Sequence, residues 1–247
     1  MKIGIVGAGN IGGTLARKLA AAGHTVKLAS SRGPEAIREQ AEKIGAIPVA
    51  SKDAVNDVDV IVLSIPFARV SEVAHLFEKV PADTVVIDTS NYYPQRDGHI
   101  AEVDAGKPES VWASEQLGRP VVKTFNAFLA HTLSDGGKPS GAPGRIAIPL
   151  AGDDAGAKII ATAIVDAVGF DVVDNGDLAN SWRQQPGTPA YCTELSAPEL
   201  ASALAAADRQ RAPNDRDTLM QEFMRTGRLP NHESVVALNR TVTAVRR

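Results

Sequence analysis

The chain has 247 residues, of which 44% are hydrophobic and 22% are charged, and its formal net charge is −3. This size allows one sizeable core with a smaller second lobe, and the charge gives no general attraction to nucleic acid or to an anionic membrane. The single cysteine, Cys192, excludes an internal disulfide framework and is typical of a reducing compartment. With no transmembrane-length run and no signal-type segment before the first strand, we expect a cytoplasmic protein.

Residues 1–32 predict a strand, a glycine turn, a helix and a second strand in immediate succession. The apolar run Lys2–Val6 leads directly into GAGNIG at residues 7–12, which matches the dinucleotide-binding pattern GxGxxG. Gly7 allows the tight turn, Gly9 lets the backbone approach a pyrophosphate, and Gly12 lets the helix pack close to the strand. Asn10 and Ile11 open that helix, where phosphates bind. This loop is therefore the predicted nucleotide site.

The second strand, predicted over Thr25–Ala29, ends in three polar residues, Ser30, Ser31 and Arg32. Proteins that bind NAD usually place Asp or Glu here for the ribose 2′-hydroxyl. A carboxylate would repel a 2′-phosphate, whereas two hydroxyls and a guanidinium suit one. The residues therefore predict NADP as the cofactor. The alternative is a solvated turn that caps the next helix.

The chain up to residue 135 continues as alternating strands and helices, which predicts an α/β fold with a Rossmann-type, doubly wound, mostly parallel sheet. The predicted elements are a helix over Glu35–Ile44, a strand over Ile47–Val49, a strand over Asp57–Ser64, a helix over Phe67–Lys79, a strand over Thr84–Asp88, a helix over Ser110–Leu117 and a strand over Pro120–Phe125. In such a sheet the loop Ser64, Ile65, Pro66 lies by the switch point, where cofactor binds. The loops after the fifth and sixth strands carry Asn91, a candidate substrate residue, and Asn126.

A glycine- and proline-rich stretch at 136–144 is the predicted seam of the chain. It separates a dinucleotide-binding domain, residues 1–135, from a carboxyl-terminal lobe, residues 145–247. In this lobe we expect a strand over Arg145–Leu150, a helix over Asp153–Val168 capped by Asp153 or Asp154, and a strand over Phe170–Val173 that extends the sheet. The rest, from Pro198 on, is predicted to be helical, which makes the lobe largely helical.

An irregular loop between Trp182 and Cys192 places Trp182, Arg183 and Tyr191 close together in sequence. Loops of this composition often carry function, so these three residues are candidate substrate contacts. A plain surface excursion anchored by its aromatic residues is the alternative.

The sequence assigns no catalytic residue and no metal site, because no Cys pair, HExxH motif or His cluster is present. Tyr92 and Arg96 have the spacing of a Tyr-Lys hydride-transfer pair, but Arg does not readily release a proton and Pro94 interrupts a helix between them. Lys123 could be a catalytic amine. We favour the alternative that it is a solvated charge at the end of a strand.

Four segments together resemble the NADPH-dependent reductases of the 8-hydroxy-5-deazaflavin coenzyme F420 and their predicted dinucleotide-binding relatives. They are GAGNIG at residues 7–12 with Ser30–Arg32, LSIP at 63–66, VVKTFN at 121–126 and GDD at 152–154. The resemblance spans about residues 1–178. It implies that Ser31 and Arg32 grip the 2′-phosphate, that Ser64–Pro66 and Asn126–Ala130 line the nicotinamide site, and that the protein is a homodimer.

The chain departs from that family pattern at two places. Ala36 replaces a further basic residue, with only Arg38 nearby, and the loop from Trp182 to Cys192 with the long helical tail does not match the compact end of the deazaflavin reductases. The first departure affects how strongly NADP is preferred over NAD. The second affects which second substrate the protein uses.

The resulting hypothesis is an NADPH-dependent oxidoreductase that transfers hydride between NADP(H) and a planar acceptor such as deazaflavin F420 or a flavin. One alternative is an enzyme like the β-hydroxyacid dehydrogenases, although their KxxxN motif is not matched by Lys123 and Asn126, which are three residues apart. A second is a non-catalytic NADP-binding redox sensor. A third is the cytosolic half of a metalloreductase, which the absence of a transmembrane run disfavours. The expected partner is a small-molecule acceptor, without nucleic acid or membrane.

Overall fold

The computed structural model describes residues 1–225 and 231–244, and its centre is a six-stranded parallel sheet. The strands are β1 Lys2–Val6, β2 Thr25–Ala29, β3 Ile47–Val49, β4 Val60–Leu63, β5 Val85–Asp88 and β6 Val122–Lys123. Their order is β3-β2-β1-β4-β5-β6. The chain adds β2 and β3 on one side of β1 and β4 to β6 on the other, so the topological switch point lies between β1 and β4. The predicted Rossmann-type fold is confirmed.

Helices cover both faces of this sheet. In the first half they are α1 Asn10–Ala21, α2 Arg38–Lys43, α3 Ser51–Ala54, α4 Pro94–Asp97, α5 Ala101–Asp104 and α6 Glu109–Leu117. The helix predicted over Phe67–Lys79 is instead two 3-10 segments, Phe67–Arg69 and Ser71–Phe77. Its buried residues Phe67 and Val70 are three apart, and partly buried Val73 follows after three more, a spacing that places side chains on one face of a 3-10 helix.

The core consists of two layers, one on each face of the sheet. On one face, Leu15 and Leu19 of α1 pack in a cluster with Ile164 and Phe170 from the second half of the chain. On the other, Phe67, Tyr92 and Trp112 form an aromatic group, with the Phe67 and Trp112 ring centroids 4.9 Å apart. Both layers draw on residues beyond position 145. The carboxyl-terminal region therefore packs directly on the nucleotide-binding part.

The second half of the chain is mostly helical, as predicted. Its elements are α7 Ala130–Asp135, β7 Ala147–Leu150, α8 Ala155–Ala167, β8 Asp171–Asp174, a 3-10 segment Leu178–Gln184, α9 Ala197–Ala205, α10 Ala212–Arg225 and α11 His232–Val242. Asp154 caps α8 by accepting a hydrogen bond from the N–H of Ala157 at 2.6 Å. Within the described residues, no helix is both long enough and apolar enough to cross a bilayer. The boundary at 136–144 stays a prediction.

The expected extension of the main sheet by β7 and β8 is wrong. These strands form a separate parallel pair, joined to β6 by a single antiparallel bridge between Lys123 and Ala151. The carbonyl oxygen of Pro149 faces β6, where it accepts from the Thr124 hydroxyl at 3.1 Å. The N–H that Pro149 lacks would lie on the same edge, so β7 cannot extend a ladder towards β6. Phe125, with a φ of 63°, also turns the chain out of the extended conformation.

Candidate active site

The glycine loop lies at the carboxyl end of β1, between the ends of β2 and β4. Gly7 has a φ of +115°, and a Cβ at this position would overlap the carbonyl oxygen of Ser64. A Cβ at Gly12 would overlap the carbonyl oxygen of Gly7, so α1 crosses the loop too closely for any side chain there. Gly9 differs, because nothing lies within 4 Å of where its Cβ would be. The first and third glycines shape the loop, and the second leaves open space above it.

The amino end of α1 points its backbone N–H groups at this space. Its N-cap is Gly9, which has no side chain to accept a hydrogen bond, and its first turn carries no acidic residue. The first N–H groups of a helix have no partner within the helix, and they carry a partial positive charge. Asn10 and Ile11 therefore begin a twelve-residue helix whose end suits a phosphate.

At the end of β2, Ser30, Ser31 and Arg32 lie beside the glycine loop, because the N–H of Gly7 donates to the carbonyl oxygen of Ala29 at 2.9 Å. Ser31 and Arg32 are exposed. Ser30 Oγ accepts from the N–H of Arg32 at 3.3 Å. None of the three side chains caps the next helical turn, whose N-cap is Pro34. The segment is a solvated turn, as the alternative had it, but its side chains do not cap the next helical turn.

The two arginines near this strand end differ in their partners. Arg38 is paired with Glu35 at 2.5 Å and with Glu42 at 3.7 Å. Arg32 takes part in no ion pair with any residue in the described ranges 1–225 and 231–244. Arg32 is thus the guanidinium at this edge that is available to a phosphate, and Arg38 is engaged.

The loops that follow β4, β5 and β6 lie side by side at the same edge. The N–H of Ser64 donates to the carbonyl oxygen of Val6 at 2.9 Å, which places Ser64, Ile65 and Pro66 next to the glycine loop. Thr89 hydrogen-bonds the carbonyl oxygen of Leu63 through its N–H and its hydroxyl, both at 3.2 Å. The loop after β5, which carries Asn91, is therefore held against the end of β4.

Asn91 and Asn126 contact each other directly. The Nδ2 of Asn91 donates to the Asn126 carbonyl oxygen, and the Nδ2 of Asn126 donates to Asn91 Oδ1, both at 3.0 Å. Asn126 is also bound by Gln184, whose Nε2 donates to Asn126 Oδ1 at 3.1 Å. Ala130 is half-buried at the start of α7. Gln184 could not be predicted from the sequence, because it lies 58 residues from Asn126 and belongs to no motif.

Beneath this group lies an ion pair between Lys123 and Asp88, and both side chains are fully buried. The two residues are direct partners on β6 and β5, and their charged atoms are 3.0 Å apart. Lys123 also donates to the carbonyl oxygen of Ser90, and Asp88 accepts from the N–H of Ser90 at 2.9 Å. The interpretation of Lys123 as a solvated charge is wrong, because its side chain points into the protein and meets a carboxylate there.

A second buried carboxyl, Glu109 at the start of α6, lies close to this ion pair and is 3% exposed. Burial raises the pKa of Glu109 to about 7, while the Lys123 ammonium and the backbone N–H of Tyr92 act in the opposite direction. Its Oε2 atom has no hydrogen-bond partner among the described residues. Sequence reasoning gave no signal for this residue, since a glutamate in the first turn of a helix is usually exposed.

We call the loop from Trp182 to Cys192 the aromatic loop. Its candidate substrate residues separate into two groups. The Tyr191 hydroxyl is 2.7 Å from that of Tyr93 and accepts from Asn91 at 3.4 Å, so Tyr191 joins the Asn91 and Asn126 group. Trp182 lies in a different cavity, with the guanidinium of Arg183 4.6 Å from its ring. Arg183 also donates to the Leu204 carbonyl oxygen at 3.1 Å.

Other residues that could move protons near this edge are engaged elsewhere. The Tyr92 hydroxyl donates to Asp104 at 2.8 Å, and Arg96 binds Asp97 at 2.8 Å. Burial raises the pKa of the Cys192 thiol to about 12, which leaves it unreactive. Among residues 1–225 and 231–244, no group of three His, Cys, Asp or Glu side chains could hold a metal ion.

The sheet order and the glycine loop at its switch point define a Rossmann-type dinucleotide-binding protein. The chain belongs to the family described as NADP oxidoreductase, coenzyme F420-dependent, whose model matches residues 2–92. It is also 36% identical over 104 residues to protein YjhV of Escherichia coli K12, an alignment that covers 42% of this chain and 76% of that protein.

Two solved structures extend the similarity beyond the first half of the chain. The hypothetical protein SMa0349 from Sinorhizobium meliloti is 29% identical, with a TM-score of 0.69 over 79% of this chain and 95% of that one. A protein from Arthrobacter sp. FB24, provisionally named an F420-dependent NADP reductase, is 20% identical, with a TM-score of 0.61 over 93% of this chain and 96% of that one. At that identity the second comparison shows the fold alone.

Proposed function

We propose that this protein is an NADPH-dependent oxidoreductase that passes hydride between NADP(H) and a planar redox acceptor, a deazaflavin of the F420 type or a flavin. The observation that carries the proposal is the end of β2, where exposed Arg32 has no ion-pair partner among the described residues and no carboxylate follows the strand. This edge favours a 2′-phosphate over a 2′-hydroxyl. Membership of the NADP oxidoreductase family supports the same cofactor.

The residues of this chain would hold NADP(H) along one edge of the sheet. The amino end of α1 would bind the pyrophosphate above Gly9, and Ser31 and Arg32 the 2′-phosphate. Ser64–Pro66 and Asn126–Ala130 would line the nicotinamide. The bound cofactor supplies the hydride, and the protein supplies binding, orientation and exclusion of water.

The proposal favours an acceptor that needs little general acid catalysis, because the lysine, the thiol and the two tyrosine hydroxyls at this edge are poor proton donors. Lys123 is buried in an ion pair, and the pKa of the Cys192 thiol is raised by burial. Burial also raises the pKa of the Tyr93 and Tyr191 hydroxyls, which makes both groups weaker acids. A deazaflavin needs little general acid catalysis, so it fits this site. The family description supports the same class of acceptor.

The buried ion pair argues against the β-hydroxyacid dehydrogenase alternative. In the proposed nicotinamide site, the ammonium of Lys123 is fully buried and held by Asp88 and by the carbonyl oxygen of Ser90. A lysine with those partners is unavailable to a hydroxy-acid substrate. Homodimer formation through the carboxyl-terminal lobe is part of the proposal.

Stopped-flow oxidation of NADPH, followed at the nicotinamide absorbance, tests the proposal against a panel of acceptors. The panel contains a deazaflavin, FMN, a quinone and a small carbonyl compound. We expect turnover with the deazaflavin or the flavin. Turnover with the small carbonyl alone would support the dehydrogenase alternative, and tight NADPH binding without turnover would support the redox sensor.

A further inference from the structure

The side chain of Gln184 is fully buried, at the place where the aromatic loop meets the ends of β6 and β7. Its Nε2 donates to the carbonyl oxygens of Lys123 at 3.2 Å and of Pro149 at 3.4 Å. The same nitrogen donates to Asn126 Oδ1 at 3.1 Å, while the carbonyl oxygen of Gln184 accepts from Asn126 Nδ2 at 2.8 Å. Asn175 donates to Gln184 Oε1 at 3.2 Å. Gln184 therefore binds both the nitrogen and the oxygen of the Asn126 amide.

Backbone strain is concentrated at the same junction. Among the described residues, four that are not glycine have a positive φ, and three of them lie here: Phe125 at 63°, Cys192 at 55° and Glu194 at 51°. Phe125 directly precedes Asn126, and the N–H of Cys192 donates to the carbonyl oxygen of Ala127 at 2.8 Å. Such conformations persist only where the surrounding contacts hold them, and they are most frequent at functional sites. The aromatic loop thus holds the segment after β6 in a strained position.

We propose that Gln184 is a positioning residue for the nicotinamide ring, because by holding the Asn126 amide it keeps the segment Asn126–Ala130 in place. This inference rests on the proposed function, which assigns that segment to the nicotinamide site. Within residues 1–225 and 231–244, Asn126 Oδ1 accepts a hydrogen bond only from Gln184, and no hydrogen bond of Gln184 reaches residues 7–12 or 30–32. The influence of Gln184 should therefore stop at the nicotinamide end of the cofactor. A residue that served only the stability of the fold would affect both ends alike.

Gln184→Glu keeps the shape of the side chain and replaces its donor nitrogen with an oxygen. When ionised, the new carboxylate would face Asn126 Oδ1 and the carbonyl oxygens of Lys123 and Pro149, none of which can donate. Asn126 would have to turn its amide and lose its bond to Asn91 Oδ1. A protonated carboxyl can donate to Asn126 Oδ1 again. Because burial raises the pKa of a carboxyl, the variant should change from the ionised to the protonated form between about pH 8 and about pH 5.5.

Gln185→Glu is the matched control, because it makes the same change at the next residue, whose side chain lines the cavity that contains Trp182. The charged groups on the elements packed against this part of the loop titrate in both variants alike; they are Lys123 of β6, Glu109 and Glu115 of α6, and Glu199 of α9. Only a difference between the two variants therefore reports on position 184. Gln184→Met cannot donate at any pH, and it decides if Gln184→Glu does not fold at the higher pH.

Fluorescence at saturating NADPH measures how the nicotinamide is held, since the reduced ring emits more strongly when a protein immobilises it and excludes water. At about pH 8, the emission of Gln184→Glu should be at least about threefold below that of Gln185→Glu, and at about pH 5.5 it should recover to within about twofold. Gln184→Met should stay low at both pH values. Calorimetric affinity for 2′,5′-ADP, which has the 2′-phosphate but no nicotinamide, should agree within about twofold among all variants.

Single-turnover oxidation of NADPH by the acceptor is the second readout. Hydride transfer in Gln184→Glu should be on the order of tenfold slower than in Gln185→Glu at the higher pH, and the two rates should converge at the lower pH. Equal emission from the two variants, or a loss of 2′,5′-ADP affinity in Gln184→Glu and Gln184→Met that parallels the loss of emission, would overturn the proposal. Strong emission from the unaltered protein without transfer to any acceptor would count against the proposed function alone, because the emission test needs no acceptor. Absence of NADPH binding by the unaltered protein would overturn both proposals.

Discussion

The carboxyl edge of the sheet has two halves that are built in opposite ways. At the ends of β1 and β2, the backbone is open and the side chains of Ser31 and Arg32 point into solvent. At the ends of β5 and β6, Asp88, Lys123 and Asn126 are buried: Asp88 and Lys123 form an ion pair, and Asn126 hydrogen-bonds Asn91 and Gln184. The first half, which we call the open half, is the one in which we propose that the nucleotide phosphates bind. In the second half, the ion pair of Asp88 and Lys123 and the bonds between Asn91 and Asn126 fix the loop that carries Asn91.

The largest effect on nucleotide binding in a folded variant is expected at the ends of β1 and β2, from Gly9→Val. The new side chain would enter the space above the loop, where nothing lies within 4 Å, and would occupy the place of the pyrophosphate. We expect NADPH affinity to fall on the order of 100-fold or more, which is roughly 3 kcal/mol or more. The fold should survive, with a loss of about 1 kcal/mol from the poorer N-cap. Calorimetry and a thermal scan measure the two effects.

Gly12→Val is the contrasting control, because its Cβ would overlap the Gly7 carbonyl oxygen. This variant should lose the folded state and the nucleotide together. If Gly9→Val retained NADPH binding, the glycine loop would be a structural turn without a role in binding.

We call the second half, at the ends of β5 and β6, the sealed half. There, Lys123→Met should destabilise the protein by about 3–5 kcal/mol, because it leaves the buried carboxylate of Asp88 without its counter-charge. Urea unfolding measures this loss. The double variant with Asp88→Asn removes both charges and should recover part of the stability. A loss below about 1 kcal/mol in the single variant would mean that the ion pair does not hold this half together.

Glu109 tests the sealed half through pH. The pKa of Glu109 is about 7 in the folded protein, against an ordinary value of 4.5 for a glutamate side chain, so between these values the folded state keeps a proton that the unfolded chain has lost. Stability therefore falls as pH rises from about 4.5 to 7, by up to about 3 kcal/mol. The groups that face this carboxyl are the Lys123 ammonium, the Tyr92 N–H, Asp88 and Arg216.

Glu109→Gln removes this titration. Measured by urea unfolding, the variant should gain stability relative to the unaltered protein as pH rises from about 4.5 to 7, and the difference should level off above pH 7. Below pH 4.5 the gain should vanish. A difference that does not change with pH would contradict the raised pKa of the carboxyl.

The open half could be predicted from the sequence because its determinants are local. The glycine loop and Ser30–Arg32 are contiguous residues next to strands with clear patterns, and the structure places them together at one edge. The sealed half depends on contacts across the chain. Lys123 and Asp88 are 35 residues apart in the sequence, and Gln184 and Asn126 are 58 apart. Neither pair belongs to a motif that a single sequence could reveal.

The separate sheet of β7 and β8 was missed for a related reason. Apolar runs over Arg145–Leu150 and Phe170–Val173 correctly indicate strands, but they do not say which edge those strands will join. The deciding feature is Pro149, whose missing N–H matters only once its carbonyl oxygen is known to face β6. Strand existence is a local property, and strand partnership is a tertiary one.

The smallest of the expected effects is also the most specific test of the open half. Arg32→Ala should weaken NADPH by about 1.5–3 kcal/mol, the range for a hydrogen bond to a charged group, and should barely change NADH, which has no 2′-phosphate. Arg38→Ala is the matched control, because Arg38 is already held by Glu35 and Glu42 and should contribute little to either cofactor. Calorimetry with both cofactors measures all four affinities. A parallel loss of NADPH and NADH in Arg32→Ala would show that Arg32 acts on the loop rather than on the phosphate, and equal affinities in the unaltered protein would contradict the assignment of NADP.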